Sequence, residues 1–192
     1  MASIGHVIVG LAARSWYAGE SGAHAVPSEA TRAPVVLSMA LWSGLSLLPD
    51  ADVIAFSFGI PYAAPWGHRG ATHSFAFAAL MGLLGYLVAR AVSLPPLRTG
   101  FLVAVVVASH AVLDTLTDGG LGCALLWPLS DERFFAPWRP LPVAPIGAGF
   151  VSLRGLRVAV IELLFFAVPL IYALWPRRRP AINRRVGPHE RR

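Results

Sequence analysis

Two histidines five residues apart, in the stretch His68-Arg69-Gly70-Ala71-Thr72-His73-Ser74, are the groups in this chain best placed to do chemistry. Imidazole is the commonest metal ligand among side chains and exchanges a proton near neutral pH. Upstream lies Leu47-Leu48-Pro49-Asp50-Ala51-Asp52, downstream His110-Ala111-Val112-Leu113-Asp114, and near the start an isolated His6. Each of these polar groups sits in or beside an apolar run, where an unpaired charge is expensive. The pattern predicts that they converge on one metal site at a membrane surface, built around His68 and His73.

The spacing gives each motif a geometry. His110 and Asp114, four apart, share one helix face. Asp50 and Asp52 flank one alanine after a helix-ending proline; in an extended turn they would point the same way and share a hard cation. His73 is expected in the first turn of a helix, where the dipole disfavours imidazolium and favours the neutral, metal-binding form. The set His6, Asp50, Asp52, His68, His73, His110 and Asp114 suits zinc first, with manganese or non-haem iron next, and is too rich in nitrogen for a calcium or magnesium cage. Seven candidates exceed the three protein ligands and water of a mononuclear catalytic zinc. Either two ions bind, or some of the seven orient the others.

Singly, these motifs are weak. Two loop histidines give His-x4-His by chance, Asp-x-Asp is common at loop starts, and His-x3-Asp is also how a buried hydrogen-bonded pair looks. Their weight lies in the combination. Arg69, beside a presumed ligand, could hold a phosphate or carboxylate oxyanion as part of the catalytic set, bind a lipid headgroup, or serve a structural role. Thr72 is expected to cap the following helix. Asp118 extends the 110/114 face by a turn. Glu162, the one carboxylate in the last apolar segment, is expected to snorkel or pair with Arg154 or Arg157, with a role as base left open. Ser46 and Ser74 have no partner for a serine nucleophile, and His24 reads as a solvated loop histidine.

Composition says what must position these groups. Of 192 residues, 56% are hydrophobic and 14% charged, against about 25% charged in soluble domains, and the mean hydropathy is +0.61. Net charge is +6, but seven arginines lie after residue 176, so the basic balance reads as a membrane-surface anchor and no nucleic acid is expected. All sixteen basic residues are arginine, which carries no functional weight here. A single cysteine, Cys123, excludes an intramolecular disulfide and a Cys-rich zinc module. The first apolar run has no basic region before it, so a cleavable signal peptide is not expected.

In chain order, 3–19 reads as a short helix, 20–33 as a loop, and 33–49 as a second helix ended by Pro49. The aromatic, Pro- and Gly-broken stretch 53–67 reads as an interfacial or re-entrant loop. Residues 70–89 and 99–113 are spans joined by a tight turn at 94–98, 115–153 is a long interface-lying connection, and 156–175 is a last helix. The expected fold is an all-α polytopic membrane bundle with about five membrane helices and interfacial loops. One membrane domain covers 1–176, and 177–192 is a basic, disordered cytoplasmic tail. The arginine bias orients the tail, the 94–98 turn and the 20–33 loop to the cytoplasm, with Arg133, Arg139, Arg154 and Arg157 running against it. All seven candidate ligands then fall toward the outer face. His110 lies about 17 Å along its helix from Thr99 and Asp114 about 6 Å further, near headgroup depth.

The ordered set of His6, LLPDAD, HRGATHS, HAVLD and the following GG…LLWPLS, across residues 3–145, resembles the YdjM-like family of inner-membrane metal-dependent hydrolases. The resemblance implies a small bacterial multi-helix inner-membrane protein with a hydrolytic centre of one or two divalent ions. From the residues, the expected reaction is attack by a metal-activated water, with Asp50, Asp52 or Asp114 as base, on a lipid or lipid-linked phosphoester at the membrane surface. The alternatives are a metal that only ties helices together and, third, a transporter. A transporter should carry polar groups through the whole bilayer, and the inner halves of these helices have almost none. Oligomeric state is not legible.

Overall fold

Long uncharged runs leave helices as the economical way to satisfy backbone polar groups away from water. A computed structural model of the chain describes residues 3–20, 29–145 and 147–175. Six α-helices form: α1 (Ser3–Glu20), α2 (Glu29–Leu47), α3 (Phe75–Ala91), α4 (Pro96–Thr115), α5 (Leu153–Phe165) and α6 (Ala167–Leu174). Two isolated bridges, Thr117 with Leu141 and Cys123 with Phe134, are the only β-type pairing among the described residues. The fold is all-helical, as expected. The basic tail and His24 lie outside the described residues.

Two segments are long and apolar enough to cross a membrane, Pro34–Phe58 and Pro96–Thr115. The α5–α6 pair makes a third if counted as one span, although it bends by 70°. Among the described residues, two or three spans pass by length and composition, against the five expected. The bend has a local cause. Pro169 has no N–H to give the Phe165 carbonyl, so the continuous helix expected over 156–175 breaks there. Helix α3 is apolar but only 17 residues long, about 26 Å against a core of ~30 Å. Its exterior is oily, with Leu83, Leu87 and Val88 exposed like Phe101 and Val105 of α4, while the candidate site residues are buried. That inversion of the soluble pattern suits lipid.

In lipid, helices associate through close packing more than through apolar burial. Helices α3 and α4 meet at Gly82 and Gly100: a Cβ on Gly82 would stand 2.9 Å from the Gly100 carbonyl oxygen, and one on Gly100 2.8 Å from that of Gly82. Trp42, Ala78, Leu102, Val103, Val106 and Val107 pack beside that contact. Ile8, Leu141 and Phe166 form a second cluster, where the long connection and the α5–α6 break meet α1. Tyr17 and Thr99 hydroxyls, 2.8 Å apart, tie α1 to α4, and Ser15 donates to the Ala173 carbonyl at 2.9 Å.

Pro49 ends α2 as expected, but the chain does not become a loop. It continues as a 3-10 helix over Leu48–Phe58, stopped by Gly59 in the left-handed region at φ 71°. The expected loop therefore shrinks to roughly 59–70, which folds back under the 115–145 connection. Arg133 fastens the two: its guanidinium donates to the carbonyls of His68, Gly122, Tyr62 and Ala64 at 3.1 to 3.4 Å.

Candidate metal centre

Five elements deliver the site. Their local chemistry explains where each side chain goes. With three residues per 3-10 turn, neighbours two apart diverge by about 120°. Asp50 and Asp52 therefore face different partners instead of sharing one direction as an extended turn would have them. Arg69 sits at φ 62°, a conformation costly for a side chain-bearing residue, and Gly70 follows where a Cβ would stand 2.1 Å from the Pro65 carbonyl oxygen. This tight corner aims His68 and Arg69 inward. A short 3-10 turn, Ala71–His73, then places His73. Ser74 caps α3 by accepting from Phe77 N at 3.0 Å, so His73 stands just before the helix and not in its first turn. Thr72 is not the cap; it donates to Asp52 at 2.7 Å.

Asp50, His73, His110 and Asp114 offer ligand atoms that all lie within 4.8 Å of one another. The Nε2 atoms of His73 and His110 are 3.2 Å apart, and Asp50 Oδ1 is 3.6 Å from the first and 3.4 Å from the second. Asp114 Oδ2 is 3.7 Å from His73 Nε2. His110 Nδ1–H donates to the Ser46 carbonyl at 2.7 Å. A carbonyl can only accept, so neutral His110 has its proton on Nδ1 and a bare lone pair on Nε2. His73 Nδ1 lies 3.2 Å from Asp52 Oδ2, which leaves its Nε2 lone pair pointing to the same place. Neither oxygen of the buried Asp50 carboxylate has a hydrogen-bond partner among the described residues. The His73 and His110 lone pairs and the Asp50 carboxylate converge with no donor between them, beside the Asp114 carboxylate, and a divalent cation would satisfy a cluster that otherwise needs a proton. The residues fit a metal with nitrogen and carboxylate ligands.

Without an ion, the proton takes that position. Burial disfavours a charged His73, but Asp114, Asp50 and Asp52 outweigh it and raise its pKa to about 10. The carboxylates thus override the helix-dipole expectation of an intrinsically neutral ring.

A second, adjoining group is Asp52, His68 and His73. Asp52 is fully used: it accepts from His68 Nδ1 at 2.6 Å, Arg69 N at 3.0 Å, the Thr72 hydroxyl at 2.7 Å and His73 Nδ1 at 3.2 Å. In this geometry it orients two imidazoles, the part carboxylates usually play behind metal-bound histidines. His68 belongs to this group and not to the four-residue one, so the centre is built on His73 and His110 more than on His68. His6 stacks on His110, centroids 3.7 Å apart, and its Nε2 is 3.3 Å from Asp114 Oδ1. All seven candidates are buried, from 0% to 7% exposed.

Of its expected roles, Arg69 takes the structural one. Its guanidinium is buried and committed: Nε lies 2.9 Å from Asp114 Oδ2, Nη1 donates to the Gly119 carbonyl at 2.9 Å and Nη2 to the Thr117 hydroxyl at 3.0 Å. It holds Asp114 and is not offered to a substrate oxyanion. Glu162 pairs with neither Arg154 nor Arg157. Its Oε2 accepts from the N–H groups of Ile4 and Gly5 at 2.8 and 3.1 Å, capping α1 from another helix in the turn that carries His6. Asp118 is exposed and accepts from Val143 N at 2.8 Å, away from the centre. Burial pushes the Cys123 thiol up to about 12, which makes it inert as a nucleophile.

The Ser46 carbonyl, Thr117 and Arg133 support the site without having been singled out from sequence. A carbonyl leaves no trace in residue type, and Arg133 looked like any loop arginine.

The model of the YdjM inner membrane protein family matches residues 1–180. The chain belongs to that family. It is also similar to the inner membrane protein YbcI of Escherichia coli (strain K12), 43% identical over 140 residues, which is 70% of this chain and 81% of the relative. No solved structure matches it. As a YdjM family protein it is an inner membrane protein, and the buried His/Asp groups are ones that could hold a metal ion.

Proposed function

We propose that this YdjM family protein is a metal-dependent hydrolase acting at the outer leaflet of the inner membrane on a lipid or lipid-linked phosphoester. The observation that carries the reading is the convergence of His73 Nε2, His110 Nε2 and the donor-free Asp50 carboxylate, with the Asp114 carboxylate beside them. In this reading those four residues hold a divalent ion, zinc first, with manganese or iron as the next fits. A second ion would involve Asp52, His68 and His73. When bound, the metal supplies Lewis acidity and a water acidic enough to deprotonate near neutral pH.

The chain's own residues divide the remaining work. Asp52 and the Ser46 carbonyl fix the two imidazoles. Arg69 neutralises Asp114 and so weakens it as a base. Asp50, with oxygens free of donors, is the carboxylate that accepts the proton from water. The bundle presents this site outward, with the 1–176 unit in the membrane and the arginine-rich 177–192 segment at the cytoplasmic surface. An anomalous-scattering map at the metal edges, with phosphoesterase assays of the same preparation, tests the reading. An empty site in metal-supplemented crystals sinks it.

The depth of burial favours a second reading. His73, His110 and Asp114 are 0% exposed, as in a metal that only ties helices together. An open, water-filled coordination position separates the enzyme from that alternative.

A further inference from the structure

With Arg69 committed to Asp114, the site lacks a cation for an anionic ligand. Four arginines run against the charge bias of the outward face, and the structure accounts for two. Arg133 is spent on four carbonyls, and Arg139 lies over the Phe135 ring at 4.8 Å. Arg154 and Arg157, one helical turn apart at the start of α5, are exposed and have no ion pair or hydrogen bond among the described residues. They line a cleft of about 340 Å³ with Asp118, Pro140 and Pro142. The same end of α5 also lines an apolar groove of about 460 Å³, with Phe150, Val151, Leu153 and Leu156. Val151 and Leu153 are 90% and 87% exposed.

We infer that this end of α5 is a lipid-binding site, taking a phosphate-bearing headgroup between Arg154 and Arg157 and an acyl chain along the neighbouring groove. Two guanidiniums one turn apart match the oxygens of a phosphate diester. The exposed aliphatic residues argue for a lipid over free phosphate, since the two chemistries a phospholipid presents meet there. Asp118 tempers the cleft's charge: one of its oxygens accepts from Val143 N, and its negative charge remains beside the arginines. Only four residues, at most about 15 Å of chain, separate Asp118 from Asp114 of the metal cluster. A lipid held here is docked on the segment that leads out of the cluster, within that length of chain from Asp114. The binding itself is independent of the metal; only its role as substrate docking rests on the proposed function.

The test is binding of water-soluble, short-chain phosphatidylglycerol and of inorganic phosphate to the purified full chain in a neutral maltoside detergent. Wild type should bind the short-chain lipid. Arg154→Gln with Arg157→Gln should weaken that binding at least tenfold, two charge-assisted hydrogen bonds being lost. Asp118→Asn, which keeps the acceptor for Val143 N but removes the charge, should tighten it a few-fold. His73→Ala should leave it unchanged. Phosphate binding as well as the lipid would mean that the anion cleft dominates, while binding of phosphate alone would overturn the lipid assignment. Lipid affinity unaltered in the double variant overturns the site. Loss of lipid binding in His73→Ala would place the anion on the metal cluster and overturn the cleft, without touching the hydrolytic reading.

Discussion

His73 and His110 face each other through their Nε2 atoms at 3.2 Å, each held from behind through Nδ1, one by the Asp52 carboxylate and the other by the Ser46 carbonyl. Two imidazoles aimed lone pair to lone pair repel unless a cation or a proton lies between them. His73→Ala or His110→Ala should therefore strip the metal from the purified protein, whereas His24→Ala and His189→Ala should leave its content unchanged. Metal analysis of the four variants checks this, and full occupancy in both of the first two would end the single-centre reading.

The two aspartates of LLPDAD should behave differently. Asp50→Asn removes a ligand and should abolish stoichiometric metal. Asp52→Asn keeps the shape but weakens the orientation of His68 and His73, a loss of about 10–100-fold in affinity. Competition with a fluorescent chelator measures both, and equal losses would show that Asp52 is itself a ligand.

Metal binding should release a proton. Because His73 has a pKa of about 10 in the metal-free protein, it is protonated at pH 7, and the ion must displace that proton. Affinity should rise with pH, about tenfold per unit for one proton, until pH approaches 10, and fall as the solution is acidified. Calorimetry in buffers of different ionisation enthalpy counts the proton, and a pH-independent affinity between 6 and 9 would contradict it.

Chelation separates the catalytic from the structural role. If packing such as the Gly82–Gly100 contact holds the bundle, the metal-free protein should keep its helicity in detergent while losing turnover. Circular dichroism after chelation, with a thermal melt, reads the difference. Collapse at ambient temperature would favour the structural reading, in which metal binding energy is folding energy.

Cysteine labelling tests the orientation. A cysteine at Ala64 should react with a membrane-impermeant reagent from the outside and one at Val186 only after the cytoplasmic face is opened. The reverse pattern would invert the topology and leave the cluster intact.

How much of this was legible before the fold? The helical class was, because uncharged runs of 15 to 20 residues leave few other structures. The candidate residues were, because His and Asp in apolar surroundings demand partners. Their division was not. Asp50 and Asp52 were expected to act together because the segment after Pro49 looked extended; its 3-10 pitch, set by packing, turned them apart. Arg69 looked available because its φ of 62° and its burial are tertiary facts. The breaks in the apolar segments were not legible either: Pro169 splits the last one and the 71–73 turn takes residues from α3.

The grip of Glu162 on Ile4 and Gly5 joins α1 to α5 across more than 150 positions of sequence. During biosynthesis α1 leaves the ribosome first, yet the residue that seats it arrives with α5. The Glu162 grip on the start of α1, next to the His6 that lies against Asp114 and His110, is completed only once α5 has been made. A nascent chain halted before residue 162 has the four clustered residues but lacks the carboxylate that seats α1.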